Sequence, residues 1–116
     1  MDKHEKIDYI EFPACDIVAT KQFFIMAFGW SFRDYGPEYS SFSDSGIAGG
    51  FYTAELSAKT VNGSALIVLY SKDLESSYSK VKAAGGIILK EIFSFPGGRR
   101  FHFAEPSGNE LAVWSE

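Results

Sequence analysis

Cysteine is almost absent. Cys15 stands alone, so no disulfide forms within the chain, and a reducing compartment is expected, which places the protein in the cytoplasm. Long apolar runs are also missing. The longest, Phe23 to Phe28 and Ala65 to Tyr70, fall far short of the roughly 20 residues that cross a bilayer, so no membrane partner is expected. The start, Met1-Asp2-Lys3-His4-Glu5-Lys6, has no apolar segment behind it and shows no secretory leader. Positive charge is not in excess: 11 Lys and Arg stand against 15 Asp and Glu, which excludes a generic nucleic-acid surface. With 4 Pro, 11 Gly and 46% apolar residues, the chain is not collagen-like, disordered or a coiled coil. What is abundant is aromatic: 11 Phe, 6 Tyr and 2 Trp, enough to fill a small core or line a pocket for an organic ligand. At 116 residues the chain is expected to form one domain.

The two halves of the sequence repeat one another. Asp16 and Asp73 lie 57 residues apart, and each follows an extended apolar stretch (Ile7 to Phe12, Leu66 to Tyr70) and opens a helical pattern. Aspartate suits that place because its carboxylate accepts from the unpaired N–H groups of a first turn and faces the positive end of the helix dipole. Ile17, Thr20, Phe24, Ala27 and Phe28 recur at helical spacing in the first copy, and Leu74, Tyr78, Val81 and Ala84 in the second. Glycine follows the cap at the same offset of 13 residues, Gly29 and Gly86, and predicts both helix ends. Short strands then alternate with turns: Trp30–Tyr35, Tyr39–Phe42 and Ile47–Thr53 in the first half, Ile87–Phe95, Arg99–Ala104 and Asn109–Trp114 in the second. Each half reads strand-helix-strand-strand-strand: module one over about 5–54, a linker over about 55–63, and module two over about 64–115.

Two βαβββ modules with these landmarks resemble the vicinal oxygen chelate superfamily, which includes glyoxalase, extradiol dioxygenases, fosfomycin-resistance transferases and bleomycin-binding proteins. Glu105-Pro106-Ser107-Gly108-Asn109-Glu110-Leu111 is similar to the family's closing turn, with Glu for the usual Asp. Phe23-Phe24 and Phe28-Gly29-Trp30 match its first helix, and Ile10–Pro13 with Phe93–Phe103 resembles a glyoxalase-like branch of unassigned chemistry. The resemblance implies an α+β fold, the glyoxalase/bleomycin resistance/dioxygenase fold, with mixed sheets curled around a concave cavity. It also implies a small-molecule ligand and a symmetric homodimer.

The resemblance further implies four metal-ligand positions. They fall on Tyr9, Gly50, Leu66 and Ala112. A divalent metal needs about three ligands from His, Cys or carboxylate, and Gly50, Leu66 and Ala112 offer none. His102, His4 and Glu11 are the one alternative set, and the favoured expectation is a protein with no metal and no other cofactor. Period-two alternation puts Glu11 beside Tyr9, Val68 and Tyr70 beside Leu66, and Glu110 and Trp114 beside Ala112. The family places a ligand-contacting side chain at the position of His102, and Arg100 shares its face. Glu11 is a candidate base and His102 a candidate acid or orienting group, with Arg100 as an anion clamp. Each also has a plain reading: His102 as a half-exposed strand residue, Arg100 and Glu11 as each other's ion-pair partner. Cys15 is read as a small buried hydrophobe rather than a reactive thiol. The function expected is a metal-independent, glyoxalase-like protein that binds or converts a small organic metabolite, possibly anionic. The alternative is a non-catalytic module that sequesters an antibiotic or senses a metabolite.

Overall fold

The computed structural model describes residues 3–116. Module one runs β1 (Tyr9–Ala14), α1 (Ile17–Phe28), β2 (Ser31–Asp34), β3 (Tyr39–Ser43) and β4 (Ala48–Thr53). Module two repeats it as β5 (Ile67–Tyr70), α2 (Leu74–Ala83), β6 (Ile87–Phe95), β7 (Gly98–Ala104) and β8 (Glu110–Ser115). Each module forms a four-stranded mixed sheet, in the orders β1-β4-β3-β2 and β5-β8-β7-β6. The first strand of each module runs parallel to the last, and the other pairs are antiparallel.

The helices start where the aspartates predict. Asp16 accepts from the Ala19 N–H at 3.0 Å, and Asp73 accepts from the Ser76 N–H at 3.1 Å. Gly29 ends α1 at φ 72° and donates back to Phe24 and Ile25. The second stop differs from expectation. Helix α2 closes on Ala84, and Gly85 rather than Gly86 takes the positive φ, at 101°. Gly86 serves packing instead: a Cβ there would lie 2.7 Å from Val81 and 2.9 Å from Phe23.

One apolar cluster serves both sheets. Phe12, Phe42 and Phe51 of the first sheet and Phe101, Phe103, Leu111 and Val113 of the second meet around Phe23, Phe24 and Ala27 of α1 and Leu74 and Val81 of α2. Phe24 stacks on Phe51 at 5.5 Å, and Phe23 reaches Phe103 at 5.6 Å, so α1 packs against both modules. Each of these buried rings contributes roughly 1.5–3 kcal/mol of transfer free energy. The faces that carry Glu11 and His102 alternate with these core residues and therefore turn away from the shared core.

A polar junction also ties the modules together. The β7–β8 turn sends Ser107 Oγ to Thr20 at 2.7 Å and to the Asp16 N–H at 3.1 Å, while Asn109 donates to the Pro13 carbonyl at 2.7 Å. Glu105, at the place of the family's usual Asp, is buried there and accepts from Thr20, Asn109 and the Ser107 N–H. Burial pushes its carboxyl up to about 6, against the hydrogen bonds that favour its charged form. Cys15 corrects the sequence reading: it is exposed, with its thiol 4.0 Å from the Ser107 carbonyl. Among the described residues no helix is long and apolar enough to cross a membrane.

Candidate functional site

Cross-strand register builds the site in two halves. In module one a single row crosses the sheet: Glu11, Gly50, Ser41, Arg33. Tyr39, one strand beyond Gly50, lays its ring over that glycine to reach β1. A Cβ on Gly50 would sit 2.1 Å from the Tyr39 hydroxyl, so glycine is what permits the crossing. Tyr39 donates to Glu11 Oε2 at 2.8 Å. With that proton committed, the 2.6 Å contact between Tyr9 and Tyr39 is donated by Tyr9. Burial, then the bonds to Tyr9 and Glu11, hold the Tyr39 phenol well above its ordinary range. Both hydroxyl protons are thus spent inside the cluster.

Module two presents two such rows. Val68, Ala112, His102 and Lys90 form one; Tyr70, Trp114, Arg100 and Phe93 form the next. His102 is buried, and its Nδ1 lies 2.9 Å from Glu110 Oε2. The other Glu110 oxygen accepts from both the N–H and the hydroxyl of Thr60, each at 2.9 Å. Thr60 belongs to the linker, which forms a 3-10 turn over Thr60–Asn62 and is anchored again where the Ala58 N–H donates to Asn109. Burial works against the Glu110 charge, but the bonds from His102 and Thr60 outweigh it and hold its carboxyl below the ordinary range. The guanidinium of Arg100 lies 5.4 Å from the rings of both Phe93 and Phe95. Two buried nitrogens here have no hydrogen-bond partner among the described residues, Arg100 Nε and His102 Nε2. Aromatic walls surround them: Phe93 lies 5.8 Å from His102, and Trp114 contacts both Tyr70 and Phe95.

The structure brings Arg100, His102, Ala112, Trp114, Val68 and Tyr70 onto one face, and Tyr9, Glu11 and Gly50 onto another. It does not bring Glu11 to Arg100 or His102: Glu11 bonds to Tyr39, and His102 bonds to Glu110. Leu66 immediately precedes β5 and is half-buried. Sequence reasoning missed Tyr39 and Thr60, and it placed Glu110 on the right face without seeing its role. The only signal for Tyr39 was the adjacent Gly49-Gly50 pair, which leaves room for a ring.

Two cavities border these faces. A 540 Å³ cleft lies between the edge strands β1 and β5, walled by Ile10, Phe12, Trp30, Ile67 and Leu69. Val68 and Tyr70 also line it, with Asp44, Ser71 and Lys80, but neither Arg100 nor His102 does. A 440 Å³ cavity has Glu110 in its wall, with Lys59, Val61, Ile87 and Leu89 around it. The second cavity is likewise not lined by Arg100 or His102.

The family's sequence pattern, described as Glyoxalase/Bleomycin resistance protein/Dioxygenase superfamily, matches residues 6–113. The chain belongs to this superfamily. No curated protein matches the chain. Solved structures share its fold. A glyoxalase-related enzyme from Fulvimarina pelagi superposes with a TM-score of 0.79 at 18% identity, covering 97% of this chain and 88% of that one. The fosfomycin resistance protein FosX from Listeria monocytogenes gives 0.80 at 13% identity, with 97% and 93% covered. Lactoylglutathione lyase from Agrobacterium tumefaciens gives 0.73 at 17%, with 98% and 96% covered.

The metal positions implied by the superfamily hold few donors. Tyr9 offers an oxygen, while Gly50, Leu66 and Ala112 offer no donor side chain. Among the described residues no three His, Cys, Asp or Glu side chains come together as a metal site. His102 is committed to Glu110, and His4 lies 2.8 Å from Glu5. The residues do not fit the superfamily's metal.

Proposed function

We propose that this member of the superfamily works without a metal and binds a small anionic organic ligand on the outer face of module two. The observation that carries the reading is Arg100. It is half-buried between two phenyl rings, its Nε has no hydrogen-bond partner, and no carboxylate stands within ion-pair distance of it among the described residues. A half-buried guanidinium with a buried, unpaired N–H is costly, and a carboxylate or phosphate answers it through two parallel hydrogen bonds. Val68, Tyr70, Ala112 and Trp114 supply the apolar surroundings that small-molecule sites need. Glu11 is held by Tyr39 and His102 by Glu110, so each candidate acid–base group is engaged within its own module, which favours binding over turnover. This is the sequestering or sensing role rather than the glyoxalase-like one. The homodimer is part of the proposal: β1 and β5 are sheet edges with exposed Ile7, Tyr9, Val68 and Tyr70, a surface that association would cover.

A thermal-shift screen of organic acids, run with and without chelator, tests the reading. A true ligand at a hundredfold excess over its dissociation constant stabilises by about 2.7 kcal/mol. Arg100→Ala should weaken that binding by about 1.5–3 kcal/mol, as the loss of a charge-assisted hydrogen bond requires. A chelator-sensitive melting temperature, or binding unchanged in Arg100→Ala, would refute it.

A further inference from the structure

The two unpartnered nitrogens of module two differ in kind, and that difference reads as a ligand description. Arg100 Nε–H is a donor under all conditions. The character of His102 Nε2 depends on where the ring proton sits, and Glu110 decides that. One Glu110 oxygen is occupied by both Thr60 donors, and the other faces His102 Nδ1 at 2.9 Å. A carboxylate only accepts, so Nδ1 carries the proton, and in the neutral ring Nε2 is left as an acceptor. Thr60 and Glu110 are positioning residues: they hold the imidazole and set its tautomer, as a carboxylate does for many functional histidines.

Strand β7 places this acceptor two residues from the Arg100 donor on the same face, with Lys90 opposite His102 in the neighbouring strand. Phe93 lies against both Arg100 and His102 and shields the pair. We propose that the pair recognises a hydroxycarboxylate with an apolar or aromatic body. The carboxylate would lie side-on to Arg100, accepting from Nε–H and one terminal nitrogen, and the ligand hydroxyl would donate to His102 Nε2. Phe93, half-buried, is the ring that gives way to the ligand, and Phe95 and Trp114 flank its apolar part. This inference rests on the anion-binding reading above and adds the hydroxyl and the tautomer that selects it.

The test uses two parts on the full chain. The first is the nitrogen spectrum of the His102 imidazole without any ligand. A protonated Nδ1 and an unprotonated Nε2 are expected in the neutral ring, and Glu110→Gln, which turns the partner into a donor, should transfer the proton to Nε2. A wild-type ring protonated on Nε2 would overturn the inference. The second compares 3-phenyllactate with 3-phenylpropanoate by calorimetry or chemical-shift titration, since the two differ by one hydroxyl. Phenyllactate should bind roughly tenfold more tightly, the equivalent of one hydrogen bond to a buried acceptor. That preference should vanish in His102→Phe, while Arg100→Ala weakens both acids. Equal binding of both acids would remove the hydroxyl and leave the anion reading standing. Binding of neither would remove both. If Glu110→Gln does not fold, the wild-type spectrum and the acid pair still decide the matter.

Discussion

The two modules use one plan and finish it differently. Both open their helix on an aspartate cap and lay the same four strands in the same order. Yet the outer face of module one closes its hydrogen bonds on itself, Tyr9 to Tyr39 to Glu11, over a glycine that makes room. Module two leaves Arg100 Nε and His102 Nε2 unanswered beneath aromatic rings. Buried polar groups in native proteins are nearly always paired, so an orphan on a well-packed face calls for a specific explanation. The comparison teaches that equivalent faces of a duplicated fold need not carry equivalent function. Under the proposal above, the satisfied face is architecture and the unsatisfied one takes the ligand. The helices divide similarly. Helix α1 buries Phe23, Phe24 and Ala27 in the shared core and exposes Val18, Ile25 and Met26, while α2 exposes a Ser- and Lys-rich face.

The largest expected effect tests whether the modules are independent at all. Phe103 belongs to module two but packs against Phe23 and Phe28 of α1. Phe103→Ala should cost about 3–5 kcal/mol, with both modules unfolding in one transition by circular dichroism and tryptophan fluorescence. Two separate transitions would show that the core is not shared.

Next comes the pair of glutamates that face outward, one from each module. Glu110→Ala strands the Thr60 donors and His102 in a buried site and should cost about 1–3 kcal/mol. Glu11→Ala, at an exposed site where water replaces the lost bond, should stay within about 0.5 kcal/mol. Equal costs in denaturant melts would erase the contrast between the faces.

How far the sequence alone reaches follows from these same residues. Asp16, Asp73 and Gly29 announce the helices because capping is local chemistry, decided within a few residues. Period two places His102 with Arg100, and Glu11 with Tyr9, for the same reason. Tyr39 escapes because its partner lies two strands away, and only the β1-β4-β3 register shows that it crosses Gly50. The His102–Glu110 pairing depends on the offset of β7 against β8 and on the linker turn that brings in Thr60. That the polar faces turn away from one common core is a property of how α1 packs on both sheets, and no single strand encodes it. Cys15 was misjudged because the chain turns outward between Ala14, which is buried, and the Asp16 cap.

The junction between the modules supplies a pH test that sets two glutamates of module two against each other. Glu105 has its carboxyl raised to about 6 from 4.5 when folded, mainly by burial. Its contribution to stability is fully present below pH 4.5 and is lost as pH rises through about 6, a change on the order of 2 kcal/mol. Glu110 has a lowered folded value, so its contribution is present above the unfolded value and is lost as pH falls through the folded one. Between pH 4.5 and 7.5, Glu105→Gln should therefore gain stability relative to the wild type, while Glu110→Gln should lose ground to the wild type only at lower pH, as pH rises from the folded value of Glu110 to 4.5. Parallel slopes for the two variants would mean that their environments are not as distinct as the structure makes them.

The smallest effect is the most discriminating for module one. Tyr39→Phe removes the hydroxyl that links Tyr9 to Glu11 but keeps the ring that covers Gly50. Glu11 and Tyr9 are both exposed, so water takes up the two lost bonds and the packing survives. The cost should be below about 1 kcal/mol, the low end for a hydrogen bond shared with solvent. Ligand binding should not change, because nothing on the module two face depends on this hydroxyl. The tyrosine absorbance titration should lose a component that titrates above the ordinary phenol range, since Tyr39 is held there by burial and by its two neighbours. If Tyr39→Phe instead lowered affinity for the organic acid proposed to bind Arg100, the closed network would belong to the binding site after all. The two faces would then have to meet around one ligand, as the proposed association with a second copy would allow.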